Sequence, residues 1–208
     1  EQEIINKINE AQNILIVSHI GPDGDTIGST LGLANIIKEN FNDKNIVYVI
    51  QHKLPDIYSF LPNKENITFD NREVKISCFD LAIALDCATK PRMGYFESIY
   101  NKAKFKINID HHATNPAYAD INIIDANASS CGEMIFDFAE NMNLNISFDS
   151  AKCLYTALLT DTGAFRYTNT TSKTLLTASK LVDKGVNPHE IYEIEITQTE
   201  LDRMLEAL

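Results

Sequence analysis

The chain has 208 residues, with 18 Lys plus Arg against 29 Asp plus Glu, a formal net charge of −11 with neutral His. The length predicts one domain of ordinary to generous size or two small ones, and the acidic balance excludes a basic surface built to coat nucleic acid. At 44% hydrophobic and 23% charged residues, the composition is that of a folded globular protein. No apolar run approaches the roughly 20 residues of a membrane-spanning helix. Glu1 to Glu10 is acidic and polar, unlike the basic and then apolar start of a signal peptide. The 4 cysteines lack C-x-x-C spacing, which fits a reduced, cytoplasmic setting in which each Cys is a small core residue.

Asn13 to Ser18 is an apolar, β-branched run that predicts the first strand. After a turn-rich stretch, a helical pattern runs from Thr26 to about Asn40, and the polar turn Asn42-Asp43-Lys44 leads into a second strand from Asn45 to Gln51. The helix between them is long enough for a crossover, so the unit reads as βαβ. Leu81 to Leu85 and Phe105 to Ile109 predict further strands, and Tyr118 to Ile124 alternates like a half-exposed one. Lys102, Lys104 and Lys106 at alternate positions read as a solvated strand edge. Helical patterns follow at Ser130 to Met142, Ser150 to Leu159, Ser172 to Lys184 before Gly185, and Pro188 to about Ile196 with Asn187 as cap. Thr199 to Leu208 also looks helical, without a stop signal. The expected fold class is α/β, a mostly parallel sheet of about five strands flanked by helices.

The informative residues follow the strands. Ser18 to Asp25 follows the first, Asp86 ends the Leu81 run, and Asp110-His111-His112 ends the Phe105 run. In an open parallel sheet the crevice beyond the carboxyl ends of the strands is the ligand site, so these groups converge. Asp161, at the end of a helical pattern, can be aimed inward by a turn at Gly163. Any one of these acids alone would read as a solvated turn residue. Four carboxylates and two or three imidazoles at one rim would instead raise one another's pKa values unless cations were present. Oxygen and imidazole donors suit Mn²⁺, with Zn²⁺, Co²⁺ or Mg²⁺ as competitors. His19 and Asp23 can chelate one ion from a loop shaped by Gly21, Pro22 and Gly24. Asp25 faces a second ion, and Asp86 is best placed to bridge. Such a pair of ions would activate water and clamp a phosphoryl group.

These segments resemble the DHH phosphoesterases, named for the tripeptide standing here as Asp110-His111-His112. The first motif runs from His19 through Pro22-Asp23-Gly24-Asp25 to Ser29, the second is Asp86, the third extends to Asn115, and the fourth is Thr160 to Arg166. All four occur in the family's order and span His19 to Arg166. The resemblance implies two divalent metal ions, one held by His19 and Asp23, the other by Asp25, His111 and Asp161, with Asp86 shared. It implies that His112 faces the scissile phosphate and that Asp110 orients a ligand histidine. Arg92, Asn115 and Arg166 are candidate substrate contacts. The residues after the third and fourth motifs look most like the nanoRNases, which act on short RNA and on 3′-phosphoadenosine 5′-phosphate. The resemblance further implies that residues 1–197 form the catalytic domain and that 198–208 begin a linker helix toward a C-terminal substrate-binding domain, which this chain does not contain. A homodimer is compatible with this reading, and no membrane partner is expected.

Rival readings fit less well. Asp23-Gly-Asp25 resembles the D-x-D signature of haloacid-dehalogenase-type phosphatases, but His19 to Pro22 separate it from its strand and both triplet histidines go unused. Gly21, Gly24 and Gly28 have the wrong spacing for a dinucleotide fingerprint. A cyclic-dinucleotide phosphodiesterase or a manganese pyrophosphatase would share the ligand set, and a nucleotide-sensing module would keep it without turnover.

Overall fold

A computed structural model describes residues 1–194 of the chain. The strands are β1 (Asn13–Val17), β2 (Asn45–Val49), β3 (Ile67–Thr68), β4 (Leu81–Leu85), β5 (Phe105–Asp110) and β6 (Ile121–Ile124). They form a six-stranded sheet in the order β3-β2-β1-β4-β5-β6, parallel at every pairing. The expected α/β class stands. The strand beyond the expected five is β3, whose two residues are too few to show a period. The helices are α1 (Gln2–Glu10), α2 (Gly24–Asn40), α3 (Glu97–Lys102), α4 (Cys131–Asn141), α5 (Phe148–Asp161) and α6 (Ser172–Asp183), and residues 188–194 are helical as well. The helix expected over Thr199 to Leu208, and the linker segment 198–208, lie outside the described residues.

Alternation along the strands divides the core. Ile14 and Ile16 of β1 join the cluster beneath α2, α4 and α5, while Leu15 and Val17 pack with Met93, Phe96 and Tyr100 on the other face. The acidic N-terminal segment turns out to be α1, anchored by the buried Ile4 and Ile8 one turn apart. The alternating lysines are not at a sheet edge, because β6 pairs onto β5. Lys102 instead closes α3, Lys104 pairs with Asp80 at 2.8 Å, and Lys106 Nζ donates to the Ala103 carbonyl at 2.9 Å. No helix among the described residues is long and apolar enough to cross a membrane, and Cys78, Cys87, Cys131 and Cys153 are all free thiols.

Two features of this architecture position the site. The chain runs from β1 outward to β2 and β3, then crosses back to β4 on the other side of β1. The crevice between β1 and β4 is therefore the topological switch point where ligands bind. Secondly, α2 lies against α5 along Gly24, Gly28 and Gly32. A Cβ on these residues would stand 2.3 Å from the Thr160 side chain, 2.4 Å from the Cys153 carbonyl and 2.6 Å from the Leu154 side chain respectively. Only hydrogen fits there. The resulting close approach sets Asp25, on the first turn of α2, near Asp161, at the end of α5.

Candidate metal centre

The loop after β1 carries His19 into the switch-point crevice, where it is 3% exposed. Its Nδ1–H donates to the Ile20 carbonyl at 2.7 Å, which aims Nε2 at Asp86, 3.2 Å away. Asp23 caps α2 with one oxygen, accepting from the Thr26 amide at 2.9 Å. Its other oxygen stands 4.0 Å from His19 Nε2. Thr26 Oγ1 touches His19 Nε2 and donates to Asp86 Oδ2 at 2.7 Å. Thr26 Oγ1 thus lies between the His19 imidazole and the Asp86 carboxylate. Burial by itself would lower the His19 pKa, but the Asp86 carboxylate outweighs it and raises it.

Asp86 follows β4 with φ +50, a left-handed conformation uncommon outside Gly and more accessible to Asp than to most residues. That turn buries the carboxylate between two groups of donors. Oδ2 faces Thr26 and His19, whereas Oδ1 lies 3.6 Å from both His111 Nε2 and His112 Nδ1. Burial would raise the Asp86 pKa, yet His111 and His19 hold it well below the usual carboxylate range.

Asp25 is 1% exposed and held by the start of α4. Its Oδ2 accepts from the Cys131 amide at 2.8 Å, and its Oδ1 from the Gly132 amide at 3.0 Å and Ser29 Oγ at 2.8 Å. His111 Nε2 stands 3.6 Å from Asp25 Oδ2 and 3.5 Å from Asp161 Oδ2. Burial and then the neighbouring Asp86 and Asp161 push the Asp25 carboxyl well up, and burial lifts Asp161 to about 6. Burial opposes a charged His111, but Asp86, Asp25 and Asp161 prevail and raise its pKa to about 10. The carboxylates thus repel one another and recruit protons where no cation stands.

The structure revises the role expected of Asp110. This fully buried carboxylate accepts from His112 Nδ1–H at 2.7 Å, while His111 Nδ1 lies 3.4 Å from the Ala128 carbonyl. Asp110 therefore orients His112 rather than His111. Asn115 donates through Nδ2 to Asp110 and Asn108, both at 2.6 Å, and accepts from the Ala117 amide at 2.9 Å. Its amide is engaged with the scaffold. Arg92 sits beside the first loop, its carbonyl accepting from the Ile20 amide at 2.7 Å. Arg166 is exposed and donates through Nε to the Gly163 carbonyl at 2.8 Å.

Four groupings have donor atoms within 4.8 Å of one another and could hold an ion: His19, Asp23 and Asp86; Asp25, His111 and Asp161; Asp86, His111 and His112; and Asp25, Asp86 and Cys131. Every residue the sequence proposed as a metal ligand falls in at least one of them. Cys131 does not come from the sequence reading, which takes each Cys as a small core residue and notes only Cys87 beside a proposed ligand. Its Sγ–H donates to the Ile109 carbonyl at 3.2 Å, and burial with the surrounding acids pushes the thiol pKa far up, so the group there is a neutral thiol. The helix predicted to begin at Ser130 was the available signal, since helix starts point amides at anions.

The neighbouring carboxylates favour the protonated forms of His111 and His19, and a metal ion would compete with those protons for the rings. At pH 7 Mn²⁺ binding is therefore expected to release protons, with apparent affinity rising as the pH climbs toward the His111 pKa of about 10. Calorimetric titration in buffers of different ionisation enthalpy measures this. A binding heat independent of buffer would contradict it.

The chain is 37% identical over 179 residues to a Streptococcus mutans protein named "Probable bifunctional oligoribonuclease and PAP phosphatase NrnA", covering 86% of this chain and 55% of the relative. It is 33% identical over 178 residues to the Thermus thermophilus "Bifunctional oligoribonuclease and PAP phosphatase NrnA", covering 86% of this chain and 52% of that one. Among solved structures, an exopolyphosphatase-related protein from Bacteroides fragilis matches with a TM-score of 0.87 at 30% identity, over 93% of this chain and 58% of its own. The chain thus spans little more than half the length of these relatives. The description "DHH family, N-terminal domain" matches residues 13–158, across β1 to β6 and the acids and imidazoles that follow them, and on that ground the chain belongs to the DHH family.

Proposed function

We propose that this chain is the catalytic part of a phosphoesterase that uses two divalent ions to hydrolyse short oligoribonucleotides and 3′-phosphoadenosine 5′-phosphate. The observation that carries the reading is the division of Asp86, one oxygen toward His19 and Asp23, the other toward the His111 side. One set is His19, Asp23 and Asp86, the other Asp25, His111 and Asp161, with Asp86 reaching both. The donors fit the ions, being carboxylates and imidazoles with no thiolate, His19, Asp25 and Asp86 buried and the rest at the rim, a set suited to Mn²⁺. Bound there, divalent ions supply Lewis-acid charge and activate water for attack at phosphorus.

The chain's own residues do the rest. His112 gives Nδ1–H to Asp110, leaving Nε2 for a phosphoryl oxygen. The Asp110 hydrogen bond raises the His112 pKa, so the ring keeps its second proton to higher pH and can donate through Nε2. Asn115 acts through Asp110, whose carboxylate it fixes. Arg92 and Arg166 form no ion pair among the described residues and are assigned to substrate phosphates. The relatives named for oligoribonuclease and PAP phosphatase activity are longer than the matched stretch. On this reading a further domain of their kind completes the RNA site.

The test is a panel of di- to pentanucleotide RNAs, 3′-phosphoadenosine 5′-phosphate, a cyclic dinucleotide and pyrophosphate, assayed in Mn²⁺ with and without chelator. Chelator-sensitive phosphate release from the bisphosphorylated adenosine is expected, with slower turnover of RNA by the 208-residue chain. Preferred cleavage of pyrophosphate or the cyclic dinucleotide would overturn the substrate assignment, and chelator-resistant turnover would overturn the mechanism.

A further inference from the structure

Glu133 is fully buried on the first turn of α4 and belongs to none of the four ion-holding groups. An acid at this position commonly reaches back to the N-cap amide, but this one turns elsewhere. Oε2 accepts from Ser129 Oγ at 2.5 Å and from Thr174 Oγ1 at 2.9 Å, and Oε1 lies 3.4 Å from Lys173 Nζ. Thr174 is itself part of the capping box of α6. The carboxylate therefore ties the segment before α4 to the start of α6. Burying an acid is costly unless it is paired and hydrogen-bonded, and here two hydroxyls and the Lys173 ammonium meet it.

All three donors of one metal set lean on the segment so tied. His111 Nδ1 faces the Ala128 carbonyl, and Asp25 is gripped by the Cys131 and Gly132 amides. Asn169 Nδ2 bridges the Ser129 and Asp161 carbonyls, at 3.0 Å each. Among the described residues, His19 and Asp23 of the other set make no hydrogen bond to residues 128–132 and are fixed instead by Ile20 and Thr26. Only the shared Asp86 adjoins that segment, beside Cys131.

We infer that Glu133 is a positioning residue that sets the affinity of the Asp25, His111 and Asp161 site while leaving the His19 and Asp23 site nearly unaffected. This rests on the two-ion reading above. Groups that orient metal ligands typically contribute about 10–100-fold to affinity, and that is the effect expected here, confined to one ion.

Mn²⁺ titration followed by electron paramagnetic resonance of the free ion, with thermal melts as a folding check, tests it on wild type, Glu133→Ala, Glu133→Gln and the double variant Glu133→Gln/Lys173→Met. Wild type should bind two ions. Glu133→Ala should keep one at wild-type affinity and weaken the other by about 10–100-fold. Glu133→Gln keeps a carbonyl oxygen for Ser129 and Thr174, so its loss should be smaller, and removing the Lys173 ammonium that its amide would face should restore binding further. Equal weakening of both ions, or two ions bound as in wild type by a folded Glu133→Ala, would overturn the inference. If Glu133→Ala does not fold, the glutamine variants decide on the same criterion. A wild type that fails to bind two ions would instead remove the two-ion reading on which the inference rests.

Discussion

Asp86→Ala is expected to reduce turnover of any accepted phosphoester by on the order of 10³-fold or more in saturating Mn²⁺. Metal charge on a phosphoryl group is worth several kcal/mol in the transition state, and each 1.36 kcal/mol is a factor of about ten in rate. Other ligands serve one side of the site, but Asp86 has an oxygen on each, so alanine would loosen both ions and their spacing together. Asp86→Asn keeps the volume and one carbonyl oxygen, yet places an amide NH₂ toward either His19 or His111. It should therefore retain part of the binding to one ion and little activity. Initial rates on 3′-phosphoadenosine 5′-phosphate, with Mn²⁺ stoichiometry measured alongside, give the readout. Activity of the alanine variant within about tenfold of wild type would remove Asp86 from the mechanism.

Asp86 also shows why so much of the site is legible in the sequence. Its run, Leu81 to Leu85, is fully buried and reads as a strand, and an acid at the end of a parallel strand has few places to go other than the crevice. The same logic located His19, Asp23, Asp25 and the Asp110 triplet, while Gly163, at φ +55, marked the turn after Asp161. Less visible were features that leave no period or no side chain. In α1, Ile4 and Ile8 are diluted by Glu, Gln, Lys and Asn, and α3 follows an irregular stretch of short 3₁₀ turns. Which of two adjacent histidines meets Asp110 depends on a side-chain direction that spacing does not encode. The grip of the α4 amides on Asp25 is only half visible for a related reason. A predicted helix start offers amides to an anion, but every residue except Pro carries the same N–H, and which acid they meet is not encoded. Glu133 likewise looks like an ordinary capping acid until its partners Ser129 and Thr174, in different segments, are seen together.

The glycine face of α2 leads to the second large effect, a difference between two substitutions with the same chemistry. Gly28→Ala is expected to be markedly more damaging than Gly32→Ala. At Gly28 the new Cβ would meet the Cys153 carbonyl oxygen at 2.4 Å and the Ala157 amide at 2.9 Å. Both are α5 backbone, so relief requires the helices to part. At Gly32 the nearest atoms are the Leu154 side-chain tip at 2.6 Å and its Cγ at 3.0 Å, and a leucine can change rotamer. Overpacking a tight core costs about 1–3 kcal/mol when neighbours can adjust, which bounds Gly32→Ala. Gly28→Ala should exceed that range, and α2 and α5 carry Asp25 and Asp161, so the parting should reach the metal centre as well. Chemical denaturation should rank the stabilities as wild type, then Gly32→Ala, then Gly28→Ala. At a temperature where all three stay folded, only Gly28→Ala should also weaken Mn²⁺ binding. Equal losses at the two positions would mean that the close approach of α2 to α5 does not set the spacing of these carboxylates.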